Sequence, residues 1–523
     1  MASSDSMPGP LPPGDGSVPP GKPMTVGQQV LDKGAQLMQS LKPIKQMKQH
    51  VCTFASYSHD MTRQIETHHF VTRINQDFLQ CAVYDSDESN ARLIGVEYIV
   101  SGRLFESLEP EEQKFWHSHA YEITSGLWVN PRVPEMIQKP ELKDLAQTYG
   151  KFWCTWQVDR GDKLPLGAPA LMMSPQGVNL GTVKPELVER RDAKYKISTA
   201  SLKATRDDIP LPEAINPFAD YWNPTGKATS TFIHAKPGPN HHPHGPPPTS
   251  TTSSFKSLSP SSLRPSNPKQ NTVTRHNKRN SMATAHGETG TRGEDIPPGK
   301  PMSLEQTVKD KGAQMLQSLK PVKQMSQHVS SFALYSHDMT RQIETHHYVT
   351  RINQDFCQCA VYDTDDSTGR LIGVEYIVSD GIFETLPPEE QKLWHSHAYE
   401  IKSGLWVHPR VPEMVVKPEL ENLAKTYGKF WCTWQLDRGD RLPFGPPALM
   451  MSPQPVNLGM VKPGLIQKRD DKYNISSEAL KTARAEIAEP EWINPQADCW
   501  KQHGKGFTID VEPTEMKKRA PFP

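Results

Sequence analysis

Cysteine is scarce in this chain, with seven residues in 523, odd in number and scattered. That excludes the dense disulfide framework of small secreted domains and points to a reducing compartment. Long hydrophobic runs are missing too. The best, Leu93–Val100, is short and carries Glu97, so no segment approaches the length needed to cross a bilayer. Neither charge sign is in excess, since 59 basic and 59 acidic residues cancel, and with that goes any global electrostatic reason to bind nucleic acid. The N-terminus has neither the apolar core of a secretory signal nor the Arg-rich pattern of a transit peptide, and the C-terminal APFP offers no cysteine to prenylate. Membrane association is therefore expected to be peripheral or through a partner. No GxSxG elbow, Walker loop, dinucleotide fingerprint or HExxH is present, so an acyl-hydrolase mechanism has no support.

What the chain does have is proline, 49 residues of it, beside a hydrophobic content of only 35%. That is the mixture of folded parts joined by unfolded ones. It is also one unit written twice. PPGKPM starts at Pro19 and again at Pro297, and Trp222 corresponds to Trp500, an offset of 278 at both ends. Two copies at so long a period are a tandem domain duplication rather than a solenoid. The expected layout is a disordered N-terminus over 1–18, a domain over 19–222, a disordered Pro/Ser/His-rich basic linker over 223–296, a second domain over 297–500 and a tail over 501–523. Between Asn223 and Ser281 the linker holds eight Lys or Arg and no acid. Composition makes it a solvated tether, and its charge also permits attachment to an anionic surface. Met282 heads a stretch that parallels the chain's own start, the pattern left by joining two single-copy genes.

Within one copy, Val26, Val30, Leu37 and Leu41 fall at helical spacing, and Pro43 ends or kinks the helix. Lys33, Lys42, Lys45 and Lys48 would suit an interfacial helix, but packing on its own domain is the simpler expectation. Phe78–Tyr84 and Leu93–Val100 flank a polar turn and read as a hairpin. The corresponding loop of the second copy, starting at Asp363, lacks the Gly and Glu of a calcium loop at Thr368 and Val374. Pro110-Glu111-Glu112 starts a helix that Ser125-Gly126 stops, Leu127–Val129 is a short strand, and Glu135–Tyr149 reads as a helix ending at Gly150. Phe152–Val158 is a strand followed by an RGD-containing turn. Without regular βαβ spacing, the fold class is α+β, a largely antiparallel sheet with flanking helices in each copy.

Chemistry, if any, should lie in HSHAYE, which occurs at His117–Glu122 and again at His395–Glu400. Imidazole and carboxylate suit divalent metals. The candidate ligands are His117, His119, Glu122, His68 and His69, with His395, His397, Glu400, His346 and His347 in the second copy. On a strand His117 and His119 would point the same way. On the helix that the Pro-Glu-Glu start implies they sit about 200° apart, so no cofactor is expected, a divalent metal being the alternative. His241-His242-Pro243-His244 in the linker is incidental. Cys154, between Trp153 and Trp156, reads as a small buried residue rather than a nucleophile.

SHDMTRQIETHH, RLIGVEYIVS, EEQKFWHSHAYEI, GLWVNPRVPE and GKFWCTWQVDRGDKLPLG, in that order, resemble the plant oil-body-associated proteins, and each copy is similar to a nearly complete member. The resemblance implies residence at the surface of seed oil bodies, the lipid droplets that store triacylglycerol, and in the cytoplasm. It also implies a non-enzymatic role in oil-body formation or stability, and partners among droplet lipids or droplet proteins. It implies no catalytic residues. The chain departs from the family in having two units and a basic linker, and it lacks the long apolar hairpin by which oleosins enter oil. A metal-dependent enzyme with a His/Glu site in each copy is the alternative, and a bivalent adaptor the third reading.

Overall fold

Strand-forming residues fill the first half of each copy, and in the computed structural model they close on themselves. The structure describes residues 19–175, 183–213, 215–219, 227–237, 297–454, 461–497 and 505–515. Met282, Trp222, Trp500 and His241, His242 and His244 of the linker lie outside them. The first copy runs α1 (Val26–Met38), β1 (Met47–Tyr57), β2 (Asp60–Asn75), β3 (Phe78–Tyr84), β4 (Leu93–Ser101), α2 (Gly102–Glu106), α3 (Pro110–Gln113), β5 (His117–Ser118), α4 (Ala120–Thr124), α5 (Glu135–Leu145), β6 (Thr148–Cys154), β7 (Ala170–Met173), α6 (Pro185–Tyr195) and α7 (Thr199–Thr205).

The expected hairpin is there, with Phe78 opposite Val100 and Leu79 opposite Ile99. The sheet order is β4-β3-β2-β1-β7-β6, every neighbour antiparallel, and β6 returns to pair with β4. The α+β class and the antiparallel sheet hold, but the sheet is a closed six-stranded barrel rather than an open layer. Closure removes the two edges an open sheet would leave unpaired. One edge of β6 carries β4, while the other is shared by β7, at Phe152–Cys154, and β5, at Tyr149–Gly150. The second copy repeats this with β9 (Gln327–Tyr335), β10 (Asp338–Arg351), β11 (Phe356–Tyr362), β12 (Leu371–Ser379), β13 (His395–Ser396), β14 (Thr426–Cys432) and β15 (Ala448–Met451).

β4 shows why its sequence does not alternate. Gly95, Glu97 and Ile99 share a face with the barrel interior, while Tyr98 on the opposite face meets the second copy. Burial on both sides calls for an apolar residue at nearly every position. The contact is reciprocal. Tyr98 donates to the Leu371 carbonyl at 2.8 Å, and Tyr376 donates to that of Leu93 at 2.8 Å. The Gln80 side chain bridges Gly369 and Leu371 as Gln358 bridges Ala91 and Leu93. Lys151, fully buried, reaches Glu112 and the carbonyls of Pro443 and Gly445, and Lys429 does the same with Glu390, Pro165 and Gly167. Each face therefore uses one set of residues against its counterpart, the property of an isologous interface.

The N-terminal arms cross over. Thr25 and Gln28 form a capping box that starts α1, but the helix does not pack on its own domain as expected. Gln39, at its C-cap, accepts from the His328 amide at 2.7 Å and donates to the His328 carbonyl at 2.7 Å. Helix α8 (Leu304–Leu316) of the second copy returns the contact, with Gln317 accepting from His50 at 2.8 Å and donating to its carbonyl at 2.6 Å. The PPGKPM segments go with the arms: Asn353 donates to the Pro19 carbonyl and Asn75 to that of Pro297, both at 2.9 Å. Only Ala35 of α1 is buried. Val26 and Leu37 are 76% and 87% exposed, as are Leu304 and Met315 of α8 at 82% and 87%. Leu41 lies beyond the helix and is buried. Within the stretch read from composition as a linker, Lys227–Pro237 is a strand, β8, paired antiparallel along its length with β16 (Lys505–Glu515) of the C-terminal tail.

Candidate functional site

A carboxylate in the middle of an apolar strand has to be paired, and Glu97 organises the interior of the first barrel. Its neighbours on the ladder, Phe152 and Cys81, point inward with it. His117 Nε2 lies 3.1 Å and His119 Nε2 3.6 Å from Glu97 Oε1, and His69 Nδ1 lies 2.7 Å from Glu97 Oε2. Glu122 Oε1 is 3.8 Å from His119 Nε2, while Glu122 Oε2 accepts from Thr53 Oγ1 at 2.5 Å. All five groups are buried. The second barrel repeats the arrangement around Glu375. His395 stands at 3.1 Å, His397 at 3.6 Å and His347 at 2.7 Å from it, and Glu400 Oε1 is 3.8 Å from His397. Ser331 takes the place of Thr53 there.

The helix expected over HSHAYE is corrected. The Pro110 start gives only one turn, α3, after which His117 and Ser118 pair with Gly150 and Tyr149 as β5. His119 is the N-cap residue of α4, its amide donating to the Thr148 carbonyl at 3.2 Å. The two rings therefore converge instead of standing on opposite sides of a helix. Gly150 is corrected as well: α5 ends at Leu145, and the glycine sits inside β6. A Cβ there would lie 2.5 Å from Glu97 Oε1, 2.5 Å from His119 Nε2 and 2.7 Å from His117 Nε2. The missing side chain leaves the space into which the three atoms point, and Gly428 does the same in the second copy.

Burial alone would raise the Glu97 carboxyl, but the attraction of His69, with His117 and His119 also beside it, holds it well below the usual range. Burial pushes Glu122 well up, the Thr53 hydrogen bond opposes this, and the Glu97 charge adds to it. Burial lowers His119, against the pull of Glu97. The two carboxyls are thus pushed in opposite directions, Glu97 toward the anion and Glu122 toward the neutral acid.

His69, His117, His119 and Glu122 are brought together, as are His347, His395, His397 and Glu400. His68 and His346 are not. Adjacent on β2 to an inward residue, His68 faces outward, with Nδ1 3.0 Å from His50 Nε2 and Nε2 3.2 Å from Glu66. His346 lies likewise between His328 and Glu344. Glu97 and Glu375 went unrecognised as site residues, although a lone acid in LIGVEYIVS is the signal that finds them. Burial pushes the Cys154 thiol up to about 12, and it donates to the Trp156 carbonyl at 3.3 Å, the environment of an inert thiol. The cavity beside the cluster measures about 10 Å³ and is lined by Thr53, His69, Glu97, His117 and Glu122 among others. That is room for one water or one ion.

Among the described residues no helix is long and apolar enough to cross a membrane. The family described as "protein of unknown function (DUF1264)" matches twice, over residues 41–210 and 319–488. The chain is 65% identical over 230 residues to oil body-associated protein 2A of Arabidopsis thaliana, which covers 44% of this chain and 93% of that protein. It is 61% identical over 232 residues to oil body-associated protein 2B of Zea mays, with 44% and 93% covered, and 39% identical over 221 residues to oil body-associated protein 1B of Arabidopsis thaliana, with 42% and 90% covered. No solved structure matches. Matched twice by the family model, and with one copy's length spanning nearly all of each relative, the chain belongs to the oil body-associated protein family as a tandem pair.

Proposed function

We propose that the protein adsorbs to the surface of oil bodies and helps to form or stabilise them without catalysing a reaction. The observation that carries this reading is the pair of outward apolar stripes, Val26, Val30 and Leu37 on α1 and Leu304, Val308 and Met315 on α8, in a chain whose relatives are named for oil bodies. Each stripe follows helical spacing and is left uncovered, the only buried apolar residue of the helix being Ala35 or Ala313, while Gln39 or Gln317 at its end binds the other copy. Lys33 and Lys311 flank the stripes and suit the polar side of an interfacial helix. Full burial of one such Val or Leu contributes about 1.5–3 kcal/mol, so a single stripe holds weakly and two hold better. The size of the cavity favours a non-enzymatic role, because no acyl chain or sugar fits beside Glu97.

The test is a fluorescent fusion in which Val26, Val30, Leu37, Leu304, Val308 and Met315 are all changed to Ser. These side chains are exposed, so thermal unfolding should match the parent while droplet labelling falls to the cytosolic background. Undiminished labelling of droplets by the folded variant would overturn attachment through the stripes.

A further inference from the structure

We propose that each barrel holds one divalent first-row transition ion. In the first copy the ligands are His117 Nε2, His119 Nε2 and Glu97 Oε1, and in the second they are His395 Nε2, His397 Nε2 and Glu375 Oε1. The separations fit. Ligand atoms about 2.0–2.2 Å from an ion, arranged tetrahedrally or octahedrally, stand about 3.0–3.5 Å from one another. The two nitrogen-to-oxygen distances are 3.1 and 3.6 Å in both copies.

The tautomer of His119 strengthens the case. Thr148 Oγ1 donates its only proton to the Leu145 carbonyl at 2.6 Å, so at 2.9 Å it accepts from His119 Nδ1. The Nδ1 of the neutral ring thus carries the proton, and Nε2 turns a bare lone pair toward the Glu97 oxygen. Fully buried, that nitrogen has no hydrogen-bond partner, and neither does His397 Nε2, whose ring is fixed the same way by Thr426 and Leu423. A proton can serve the 3.1 Å gap from His117 to Glu97, but not the 3.6 Å gap from His119. A cation between them satisfies all three atoms at once.

The surroundings suit an ion. Gly150 and Gly428 keep the meeting point of the three donors free of side-chain atoms. His69, backed by Thr67 at 2.8 Å, stands with Nδ1 2.7 Å from the second oxygen of Glu97, a neighbour of opposite charge when protonated. The adjoining cavity, about 10 Å³, accepts one water as a further ligand. Two imidazoles to one carboxylate select zinc-like ions over calcium or magnesium, which take oxygen. Buried, with one water-sized opening, the ion would tie β4, β5 and α4 together as a structural clamp.

Full-length protein, free of any tag and purified without chelator, should carry about two equivalents of metal per chain by plasma mass spectrometry. After chelation it should take up two equivalents of Co²⁺ with visible d–d absorption. Changing Glu97→Gln with His119→Ala should halve the metal content, and adding Glu375→Gln with His397→Ala should abolish it. Parent protein that carries no metal and shows no Co²⁺ bands would overturn the proposal, whatever the variants do. So would a folded fourfold variant that keeps both equivalents, the result expected if the linker histidines were the binders.

Discussion

An alanine at position 150 would place its methyl carbon within 2.5–2.7 Å of Glu97 Oε1, His117 Nε2 and His119 Nε2. None of the three can retreat freely. Glu97 is held from its other side by His69, His119 by Thr148, and His117 by the short ladder to Gly150 itself. Overpacking of this kind costs about 1–3 kcal/mol. Gly150→Ala and Gly428→Ala should each lower the denaturant midpoint accordingly. Gly161→Ala is the control. There a Cβ meets nothing within 4 Å, and the residue has a φ of +76°, so only the left-handed backbone opposes it, at about 1 kcal/mol. No loss at position 150 would show that the cluster does not need the space Gly150 leaves. At this scale Glu97 carried a signal that went unread, since an acid amid LIGVEYIVS has to be answered by buried partners. Which histidines answer it was not legible, because they come from β2, β5 and the start of α4, brought together only by closure of the barrel.

Elements were legible where their own residues decide them and illegible where a distant strand does. The β3–β4 hairpin follows from its β-branched and aromatic residues, and α1 follows from the spacing of Val26, Val30 and Leu37, with a capping box at Thr25 and Gln28 to start it. β5 has two residues and exists because Tyr149 and Gly150 offer a free edge. No local propensity fixes so short a strand, and the Pro-Glu-Glu start ahead of it pointed to helix. The direction in which α1 packs was likewise out of reach, its contact lying 289 positions away at His328. That contact can be measured. Gln39→Ala strips the buried His328 amide and carbonyl of their partner, and Gln317→Ala does the same to His50. Each should cost about 1–3 kcal/mol. The exposed Gln29→Ala on the same helix should stay within about 0.5 kcal/mol of the parent. Near-zero effects at positions 39 and 317 would mean that the arms contribute nothing to stability.

At the scale of the whole molecule, the two copies form one body in which each completes the other. Most of their buried apolar residues belong to one core that runs through both copies, two buried lysines reach across to carbonyls of the opposite copy, and both N-terminal arms lie on the barrel they did not come from. The repeat was plain in the sequence. The pairing was not, because Tyr98, Gln80 and Lys151 look like ordinary strand residues until the opposite face is present. Since each face meets its own counterpart, the association should not depend on the covalent connection between copies. A protease site placed between residues 240 and 294 tests this. After complete cleavage the two fragments should co-elute at the mass of the intact chain and separate only in denaturant, because a contact this extensive is held by burial and reciprocal hydrogen bonds rather than by tethering. If the cut fragments run as two independent species at micromolar concentration, the contact is weak and the linker is what keeps the copies together. If they stay paired, the linker is free to serve another purpose, and the arm exchange is a property of the fold itself.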